Sequence, residues 1–465
     1  MNYQKKTKIV CTIGPSSWDP EVMKNMIDAG MNCARVNGAF ADEAEIDKVT
    51  KLVKDISNEV SLMIDVKGPE VRMNKFPEAK KIKPGDVIII GNDSTSEIYP
   101  GNYKDLYKSL KIGQRVVVGD GDVEMVLKEI VNDQMHCEVV FGELLKPGKA
   151  LNLPGADFAT SALTEKDIRN LNHALKMKWD FVSASFIQNA ESAREVKKYL
   201  EGSPMKLIAK IEDQQGVDNI DEILTEVEGI MIARGGLGVE LGLEKVPMVQ
   251  KTLIEKCNAL GKIVITATQM MESMTYNPRP TRAEVNDVAT AIMQGTDAVM
   301  LSGESSAGEY PVEAVKELSK IAIEVEKNLK PGILPSKAEG RSVTDAISKA
   351  AAQMCIEMKD EINKVIVVSM TGRTARLIGR HRISQPLYVF TSEDFYTRRV
   401  MFGKGVNRTF TLKHSFVDRD KAVDAVRILA REVGIAEPGD NILLLCKTPL
   451  NDEVYFPNVF EVIKF

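Results

Sequence analysis

Residues 206–240, KLIAKIEDQQGVDNIDEILTEVEGIMIARGGLGVE, decide the fold of this chain. The stretch opens with a short apolar run that ends in the charged residues Lys210 and Glu212. A segment with helical spacing of its apolar residues follows, and a second apolar run then ends at Arg234, before two glycines. Strand, helix and strand in so short a stretch form a βαβ unit, and the two strands of such a unit are parallel.

Both predicted strands place their charged residues at the carboxyl end. In parallel sheets and (β/α)8 barrels this end holds the chemistry, because the strand-to-helix loops converge there. A lysine (Lys210), a carboxylate (Glu212) and a glycine-rich helix entrance (Gly235, Gly236) favour an anionic ligand such as a phosphorylated one. A purely structural interpretation, in which Lys210 and Glu212 form a buried ion pair that ties two strands together, fits the same residues.

The pattern around this unit extends to most of the chain. Short apolar runs alternate with amphipathic segments, and one connection, 73–153, instead alternates hydrophobic and polar residues in short runs with Gly and Asp between them. We therefore predict an α/β protein: a (β/α)8 TIM barrel (1–72 and 154–332), an inserted small β-barrel lid domain (73–153) and a C-terminal α/β domain (338–465). The predicted barrel strands are 8–13, 33–36, 62–66, 181–186, 207–211, 230–233, 263–267 and 298–301.

Composition excludes several classes of function. The chain has 465 residues and a formal net charge of −5, which gives no electrostatic case for a nucleic-acid or membrane partner. We find no apolar run long enough to span a membrane and expect no signal peptide. The 6 cysteines are scattered without a CxxC pair, as expected of a reduced cytoplasmic protein. The 4 histidines lie away from the predicted strand ends, so a zinc site or a Ser-His-Asp triad is not expected.

Seven short motifs follow one another along the chain. They are KTKIVCTIGPSS (6–17), DVKGPEVR (65–72), NLPG (152–155), AKIE (209–212), ATQM (267–270), NPRPTRAE (277–284) and SGE (302–304). Taken in this order, they resemble the motifs of the pyruvate kinase family. The resemblance covers the whole chain and implies the reaction of phosphoenolpyruvate with ADP to give pyruvate and ATP, in glycolysis. Such a phosphoryl transfer needs well-placed positive charge more than covalent help from the protein.

The resemblance also implies roles for individual residues. Lys210 matches the lysine that neutralises the moving phosphoryl group, Arg35 the arginine that grips it, and Thr268 the residue beside the enolate face that is protonated. Glu212 matches a carboxylate ligand of the divalent ion, Mg²⁺ or Mn²⁺. Further implied contacts are Gly235, Gly236 and Ser302 with the substrate, and Arg72, Asn37, Lys67 and Asp120 with the nucleotide.

The sequence departs from the family pattern at its ion sites. Gly236 stands where the family has the second metal-binding aspartate, and Ala39 and Val66 replace a serine and a threonine at the monovalent-cation site. Asn37 and Asp65 remain from that site, and Asp65 then needs another partner, for which Lys67 and Arg35 are the candidates. Outside the ion sites, Phe40 replaces a histidine associated with the nucleotide, and Gly119 replaces one of two paired aspartates, leaving Asp120.

These departures lead to two expectations about ions. We expect Mg²⁺ to be held by Glu212 with water and substrate, since this ion commonly keeps several waters and takes one or two carboxylates. We expect K⁺ not to be required, although the resemblance links Glu70 to potassium dependence.

Three functions stay open from the sequence. The first is a phosphotransferase as described, and the second is a non-catalytic or weakly active homologue that binds phosphoenolpyruvate or a phosphorylated effector. The third is a barrel enzyme of another class, such as a metal-dependent lyase acting on a keto acid, against which the lid and C-terminal domain argue.

A possible regulatory site follows a predicted strand of the C-terminal domain. Ser369, Thr371, Gly372, Arg373 and Thr374 place hydroxyls and amides at a helix start, which is typical of a phosphate nest. The family often binds a phosphorylated allosteric effector there, and a capped helix without a ligand is the alternative. The resemblance further implies a homotetramer.

Overall fold

The chain folds into a barrel, an insert and a C-terminal α/β domain. The computed structural model describes residues 5–68, 70–73, 76, 78–91, 106–119, 121–156, 162–334, 342–369, 371–412, 419–447 and 457–465. The position 338, at which we predicted the C-terminal domain to start, therefore lies outside the described residues.

The first part of the barrel contains three buried strands and two helices. Asp19 and Asp42 cap the two helices, because their side chains accept hydrogen bonds from backbone amides of the first turn, at 2.9 Å from Glu21 and 3.0 Å from Glu45. The elements are β1 (Lys8–Thr12), α1 (Pro20–Asp28), β2 (Cys33–Asn37), α2 (Glu43–Ile56) and β3 (Ser61–Val66).

The insert that follows β3 is rich in β-strands, as predicted. Its longest strand buries Val123, Met125 and Leu127 and turns the intervening residues outward, which is the alternation of a sheet with one packed face. The strands are β4 (Lys80–Lys81), β5 (Val87–Ile90), β6 (Arg115–Val118), β7 (Val123–Val131), β8 (Gln134–Phe141), β9 (Leu144–Leu145) and β10 (Leu151–Asn152). They form an antiparallel sheet in the order β10-β6-β7-β8-β5 and a second pair, β4-β9.

The second part completes the barrel. Its elements are α3 (Glu165–Lys176), β11 (Phe181–Ala184), α4 (Ala190–Lys198), β12 (Lys206–Ile211), α5 (Gln214–Asp218), α6 (Ile220–Glu226), β13 (Gly229–Ala233), α7 (Arg234–Leu241), α8 (Val246–Leu260), β14 (Ile263–Ala267), α9 (Arg282–Gln294), β15 (Ala298–Leu301), α10 (Gly303–Ser306) and α11 (Pro311–Asn328). The eight parallel strands close in the order β1-β15-β14-β13-β12-β11-β3-β2, which confirms the predicted (β/α)8 barrel.

Two predicted elements of the barrel differ in detail. The sequence predicts one helix between the two strands of residues 206–240, but the structure has two, α5 and α6, which are divided at Asn219. The Asn219 side chain donates a hydrogen bond of 2.9 Å to the Gln188 carbonyl. A short amide side chain that bonds backbone elsewhere competes with helix continuation. The fourth strand ends at Ala184 rather than at 186, since Phe186 has a φ of 56°, which a strand does not accommodate.

The C-terminal domain has a five-stranded, mostly parallel sheet. The predicted α/β character of this domain is confirmed. One edge strand, Val406–Thr411, forms although its residues alternate irregularly between polar and apolar. The elements are α12 (Val343–Glu357), β16 (Lys364–Val368), α13 (Arg373–Gly379), β17 (Leu387–Thr391), α14 (Asp394–Met401), β18 (Val406–Thr411), α15 (Arg419–Glu432), β19 (Asn441–Cys446) and β20 (Val459–Lys464). The strand order is β18-β17-β16-β19-β20, with only the β19-β20 pair antiparallel.

A side chain of the C-terminal domain closes the amino end of the barrel. Phe402, which follows α14, is fully buried, and its ring centroid lies 5.3 Å from that of Phe181 in β11. It belongs to the same apolar cluster as Met63 and Ile208, which lie inside the barrel. The interior of the barrel is therefore closed at its amino end and open at its carboxyl end.

Two buried lysines form hydrogen bonds between the C-terminal domain and the amino end of the barrel. The Lys8 ammonium donates a hydrogen bond of 2.7 Å to the Val406 carbonyl, and the Lys404 ammonium donates to the carbonyls of Gly295 and Thr296 at 2.8 and 2.7 Å. Burial lowers the pKa of Lys8 to about 7 and that of Lys404 to about 8. Each ammonium thus carries a desolvation penalty that its hydrogen bonds only partly offset.

The helices of the described ranges include none that is both long and apolar enough to cross a membrane.

Candidate active site

A cleft of about 610 Å³ opens at the carboxyl end of the barrel strands. The insert contributes one wall, through Arg115 and Gly121 among others. The other wall comes from strand ends and loops of the barrel. Seven residues that the sequence predicted for the site line this one cleft: Arg35, Lys210, Glu212, Gly235, Gly236, Thr268 and Ser302.

Asp65 stands between the two cations of the cleft. Its Oδ2 lies 2.7 Å from Arg35 Nε, and its Oδ1 lies 3.4 Å from Lys210 Nζ. Burial alone would raise the pKa of Asp65, but the charges of Arg35 and Lys210 outweigh burial and lower it. Arg35 is further fixed by a hydrogen bond of 2.7 Å from its Nη1 to the Thr12 hydroxyl. The guanidinium and the ammonium are thus held side by side by one shared carboxylate.

Lys210 is held by further partners on the cleft side. Its ammonium donates to the Ser185 hydroxyl at 2.6 Å and lies 2.9 Å from Glu212 Oε1. Burial disfavours the charged form, but Asp65 and Glu212 more than compensate, so the pKa of Lys210 is raised. The lysine therefore stays charged over the physiological pH range. Ser185 is a partner that the sequence analysis missed.

Gly236 lies directly against Glu212. A Cβ atom placed on Gly236 would be 3.2 Å from the Glu212 Cβ and 3.3 Å from the Glu212 carbonyl oxygen. A side chain at this position would therefore contact Glu212, and the resemblance implies a second metal-binding aspartate at this position. With glycine there, the carboxylates next to Lys210 are those of Glu212 and Asp65, at 2.9 and 3.4 Å.

The donor set fits a divalent ion that is held largely by water and substrate. Within the described ranges there is no group of three or more His, Cys, Asp or Glu side chains that could hold a metal by themselves. Mg²⁺ needs no such group, since it keeps several waters and is bound through one or two carboxylates and substrate phosphates. Glu212 provides one such carboxylate.

Thr268 sits on a strained loop that a buried arginine braces. Thr268 and Gln269 have φ angles of 68° and 52°, which is unusual for residues with a side chain and above all for a β-branched one. Arg234 Nη2 donates to the carbonyl oxygens of both, at 2.6 and 3.1 Å, while its Nη1 contacts both carboxylate oxygens of Asp287 at 2.7 and 2.6 Å. The Thr268 hydroxyl accepts a hydrogen bond of 2.9 Å from the Gly235 amide, so that amide is engaged. Arg234 and Asp287 hold the loop and were not assigned from the sequence.

Ser302 is positioned by a buried carboxylate. Glu304 accepts hydrogen bonds from the amides of Ser302 and Met271, at 2.7 and 3.1 Å, and burial raises its pKa. Glu304 belongs to the SGE motif. Its role as a link between two loops of the cleft depends on contacts that the sequence does not show.

The predicted nucleotide residues are not among those that line the cleft, and Asp120 lies outside the described residues. Arg72 is at the junction of barrel and insert, where its Nη1 donates to the Gly148 carbonyl at 2.8 Å and its Nε lies 2.5 Å from Glu70 Oε2. Lys67 also pairs with Glu70. Of the two partners considered for Asp65, Arg35 is therefore the one that contacts it.

Asn37 and Asp65, which the sequence predicts as the remnant of a monovalent-cation site, both contact other protein groups. The Asn37 side-chain oxygen accepts a hydrogen bond of 3.2 Å from the Ala39 amide, and Val66 is completely buried. Phe40, at the position where the resemblance implies a histidine, is 82% exposed. The presence of phenylalanine at position 40 did not by itself predict that its ring would be exposed.

The predicted effector loop folds back on its own backbone. The Ser369 hydroxyl accepts from the Gly372 amide at 3.0 Å, and the Thr371 hydroxyl accepts from the Arg373 amide at 3.4 Å. Thr374 is buried at the start of α13. This arrangement is a capped turn, and the binding of a phosphorylated effector here remains a prediction.

The fold places this chain in a class, the (β/α)8 barrels that carry a β-rich insert and a C-terminal α/β domain, with a charged cleft at the carboxyl end of the strands. The family model described as "Pyruvate kinase, barrel domain" matches residues 4–315, and "Pyruvate kinase, alpha/beta domain" matches residues 345–462. The chain belongs to the pyruvate kinase family.

Individual relatives agree with this assignment. The pyruvate kinase of Clostridium perfringens (strain 13 / Type A) is 38% identical over 96% of this chain and 97% of its own length. That of Borreliella burgdorferi is 37% identical over 96% of this chain and 94% of its own length. A crystal structure of a pyruvate kinase from Cryptosporidium parvum superposes with a TM-score of 0.89 at 32% identity, covering 99% of this chain and 96% of that one.

Proposed function

We propose that this chain transfers the phosphoryl group of phosphoenolpyruvate to ADP, which gives pyruvate and ATP. The observation that carries the proposal is the cluster in which Asp65 holds Arg35 and Lys210 together at the open end of the barrel. Two cations fixed in this way provide the positive charge that a transferring phosphoryl group requires. Family membership supports the same reaction.

Each residue of the cleft then has a defined task. Arg35 and Lys210 bind the phosphoryl oxygens, and Lys210 also faces the enolate oxygen that develops as the bond to phosphorus breaks. Thr268 lies on the side of the enolate where a proton is added, and the loop braced by Arg234 keeps it there. Ser302 and the start of α7 contact the substrate carboxylate. Closure of the insert over the cleft would exclude water from the reaction.

Glu212 is proposed to hold the divalent ion, Mg²⁺ or Mn²⁺, with water and substrate oxygens completing its shell. When bound, the ion neutralises negative charge on the substrates. We also propose that K⁺ is not required. Asp65, which faces the former monovalent site, is already paired with Arg35 and Lys210 and has a lowered pKa.

One observation favours a second function. Gly236 removes a carboxylate from a charge-dense site, and such a loss could reduce the rate several hundredfold. The chain could then bind phosphoenolpyruvate, or a phosphorylated effector, with little or no turnover.

A coupled assay that follows both pyruvate and ATP tests the two functions. We expect turnover with Mg²⁺ or Mn²⁺ and none with a chelator, and we expect Lys210→Met to remove it. Calorimetry with phosphoenolpyruvate alone serves as the companion measurement. Binding by calorimetry without turnover under any ion would support the binding protein and contradict the enzyme.

The assembly and setting are also proposals. Met248 and Tyr276 are 64% and 74% exposed. We propose a homotetramer, as the family resemblance implies, with these two residues at an interface. We further propose that it acts in the cytoplasm and responds to a phosphorylated effector at Ser369–Thr374. Sedimentation equilibrium of the wild type and of Tyr276→Glu measures the assembly, and a monomeric wild type would contradict it.

A further inference from the structure

A second cleft, of about 350 Å³, lies at the amino end of the barrel, on the face opposite the active site. Lys206, Glu228 and Lys262 lie side by side there, at or just before the first residues of β12, β13 and β14. Backbone hydrogen bonds set this order, because the Glu228 amide donates to the Leu207 carbonyl at 3.0 Å and the Ile263 amide donates to the Glu228 carbonyl at 3.2 Å. All three side chains line the cleft.

The C-terminal domain adds two arginines to this row. Arg376 of α13 lies 2.5 Å from a Glu228 carboxylate oxygen, and Arg399 of α14 donates to the Pro204 carbonyl at 2.6 Å. Glu226, a further carboxylate of the cleft, is already paired with Arg194 and Lys197 at 3.0 and 2.8 Å. Glu201 is the remaining carboxylate that lines the cleft. With Glu226 paired, the four cations Lys206, Lys262, Arg376 and Arg399 outnumber the two carboxylates Glu201 and Glu228.

This excess of positive charge contributes to lowering the pKa of two lysines of the cleft, Lys206 and Lys262. Burial lowers the pKa of Lys206, Arg399 and Arg376 lower it further, and Glu228 acts in the opposite direction. Burial also lowers the pKa of Lys262, where Glu228 opposes the effect and Arg376 adds to it. An anion bound between the two lysines would relieve this repulsion.

The cleft and its surroundings contain donors that are not fully used. The Lys206 ammonium is half-buried and donates to none of the residues that the structure describes, so it is available to an anion in the cleft. The Lys262 ammonium donates to the Val227 carbonyl at 2.6 Å, which leaves two of its three N–H groups. Beside the cleft, the buried Nε of Arg376 has no acceptor among the described residues, which is unusual for a buried donor.

We propose that this cleft binds a small phosphate-bearing anion. Lys206 and Lys262 donate charge-assisted hydrogen bonds to its oxygens, and Arg376 is shared between Glu228 and the anion. The proposed site is separate from the catalytic cleft and does not depend on the proposed reaction. It adjoins the loop at 369–374, because Arg376 Nη1 donates to the Thr371 carbonyl at 3.3 Å. Because Arg376 belongs to α13, an anion in this position would strengthen the contact between the C-terminal domain and the barrel.

Chemical labelling of lysines measures binding at this place alone. The full-length protein is acetylated with a limiting reagent in increasing concentrations of orthophosphate or tripolyphosphate, with chloride keeping the ionic strength constant, and the rate at each lysine is read by mass spectrometry. We expect a saturable slowing at Lys206 and Lys262, of about tenfold at an anion concentration ten times the dissociation constant. Lys198, exposed at the end of α4, is the internal control and should keep its rate.

Two variants complete the test. Lys206→Met should weaken the phosphate protection of Lys262 by about tenfold, which corresponds to one charge-assisted hydrogen bond. Lys198→Met, a matched change on the surface, should leave it unaltered. The proposal is overturned if chloride slows the two lysines as much as phosphate does, if no slowing occurs, or if Lys206→Met protects Lys262 like the wild type. Phosphate bound in the catalytic cleft does not affect this readout. Arg373 of the 369–374 loop is close enough to lower the pKa of Lys262, so slowing at Lys262 without slowing at Lys206 would indicate phosphate at that loop and would also overturn the proposal.

Discussion

Replacement of Gly236 by aspartate tests how the divalent ion is held. The backbone at this position has no left-handed φ, so a side chain is accommodated without that source of strain. Its Cβ would lie 3.2 Å from the Glu212 Cβ and 3.3 Å from the Glu212 carbonyl oxygen, which requires a small local shift. Gly236→Ala requires the same shift without adding charge and is therefore the matched control.

The expected magnitude follows from the charges. The shift itself costs about 1–3 kcal/mol in both variants. In the aspartate variant, two carboxylates ~5 Å apart repel by about 3 kcal/mol at an effective dielectric constant of ~20. Lys210, 2.9 Å from Glu212, offsets part of this repulsion. A divalent ion between the carboxylates removes it, and each 1.4 kcal/mol of relief lowers the half-saturating ion concentration about tenfold.

The assay measures the initial rate against Mg²⁺ concentration at saturating phosphoenolpyruvate and ADP, and the melting temperature with and without Mg²⁺. We expect Gly236→Asp to saturate at a Mg²⁺ concentration at least about tenfold lower than Gly236→Ala, and to gain more melting temperature on Mg²⁺ addition. Glu212→Gln in the aspartate background should cancel the gain. If the alanine and aspartate variants respond identically to Mg²⁺, residue 236 does not face the ion and the reasoning is wrong.

Four further predictions concern the same chain. Glu212→Gln should lower turnover at least a hundredfold at saturating Mg²⁺, and unchanged turnover would mean that the ion is held elsewhere. Lys210→Met should weaken phosphoenolpyruvate binding less than about tenfold by calorimetry but lower kcat about a thousandfold or more, because its charge matters most as the phosphoryl group moves; equal losses in both would contradict this. Exchange of K⁺ for tetramethylammonium at constant ionic strength should change turnover less than about twofold, since Asp65 is already paired with two cations. A loss of activity on this exchange would show that K⁺ is required and would contradict the prediction. Lys8, with a pKa lowered to about 7, releases its proton above that pH in the folded state, while the unfolded chain keeps it up to a pH of about 10.5. The melting temperature of the wild type relative to Lys8→Met should therefore rise between pH 7 and 9, and a pH-independent difference would exclude this linkage.

The sequence was sufficient for the barrel and for the charged residues at its strand ends. Lys210, Glu212 and Arg35 could be assigned to one site because parallel strands bring their carboxyl ends to one face, whatever their separation along the chain. The motif resemblance then supplied roles that strand ends alone do not.

Other features of the site depend on side chains that meet only after folding. Arg234 and Asp287 are 53 residues apart, on α7 and α9, and no periodicity in the sequence pairs them. The positive φ of Thr268 contradicts the local preference of a β-branched residue, so it could not be predicted from propensity. Nothing in the sequence distinguishes Phe402 from other apolar residues near the end of a helix, so its packing into the barrel could not be predicted.

Because Phe402 closes the amino end of the barrel interior, the core of the barrel cannot be completed during synthesis until this residue has been added. Leu301 completes the last barrel strand, and Phe402 is added roughly 100 residues later, which at a synthesis rate of about 5–20 residues per second is a delay of roughly 5–20 seconds. During that interval Phe181, Met63 and Ile208 surround an uncovered opening in a barrel whose strands are all present. The nascent chain therefore spends this time with an incomplete hydrophobic core, which is the state in which chaperones and neighbouring chains recognise a protein.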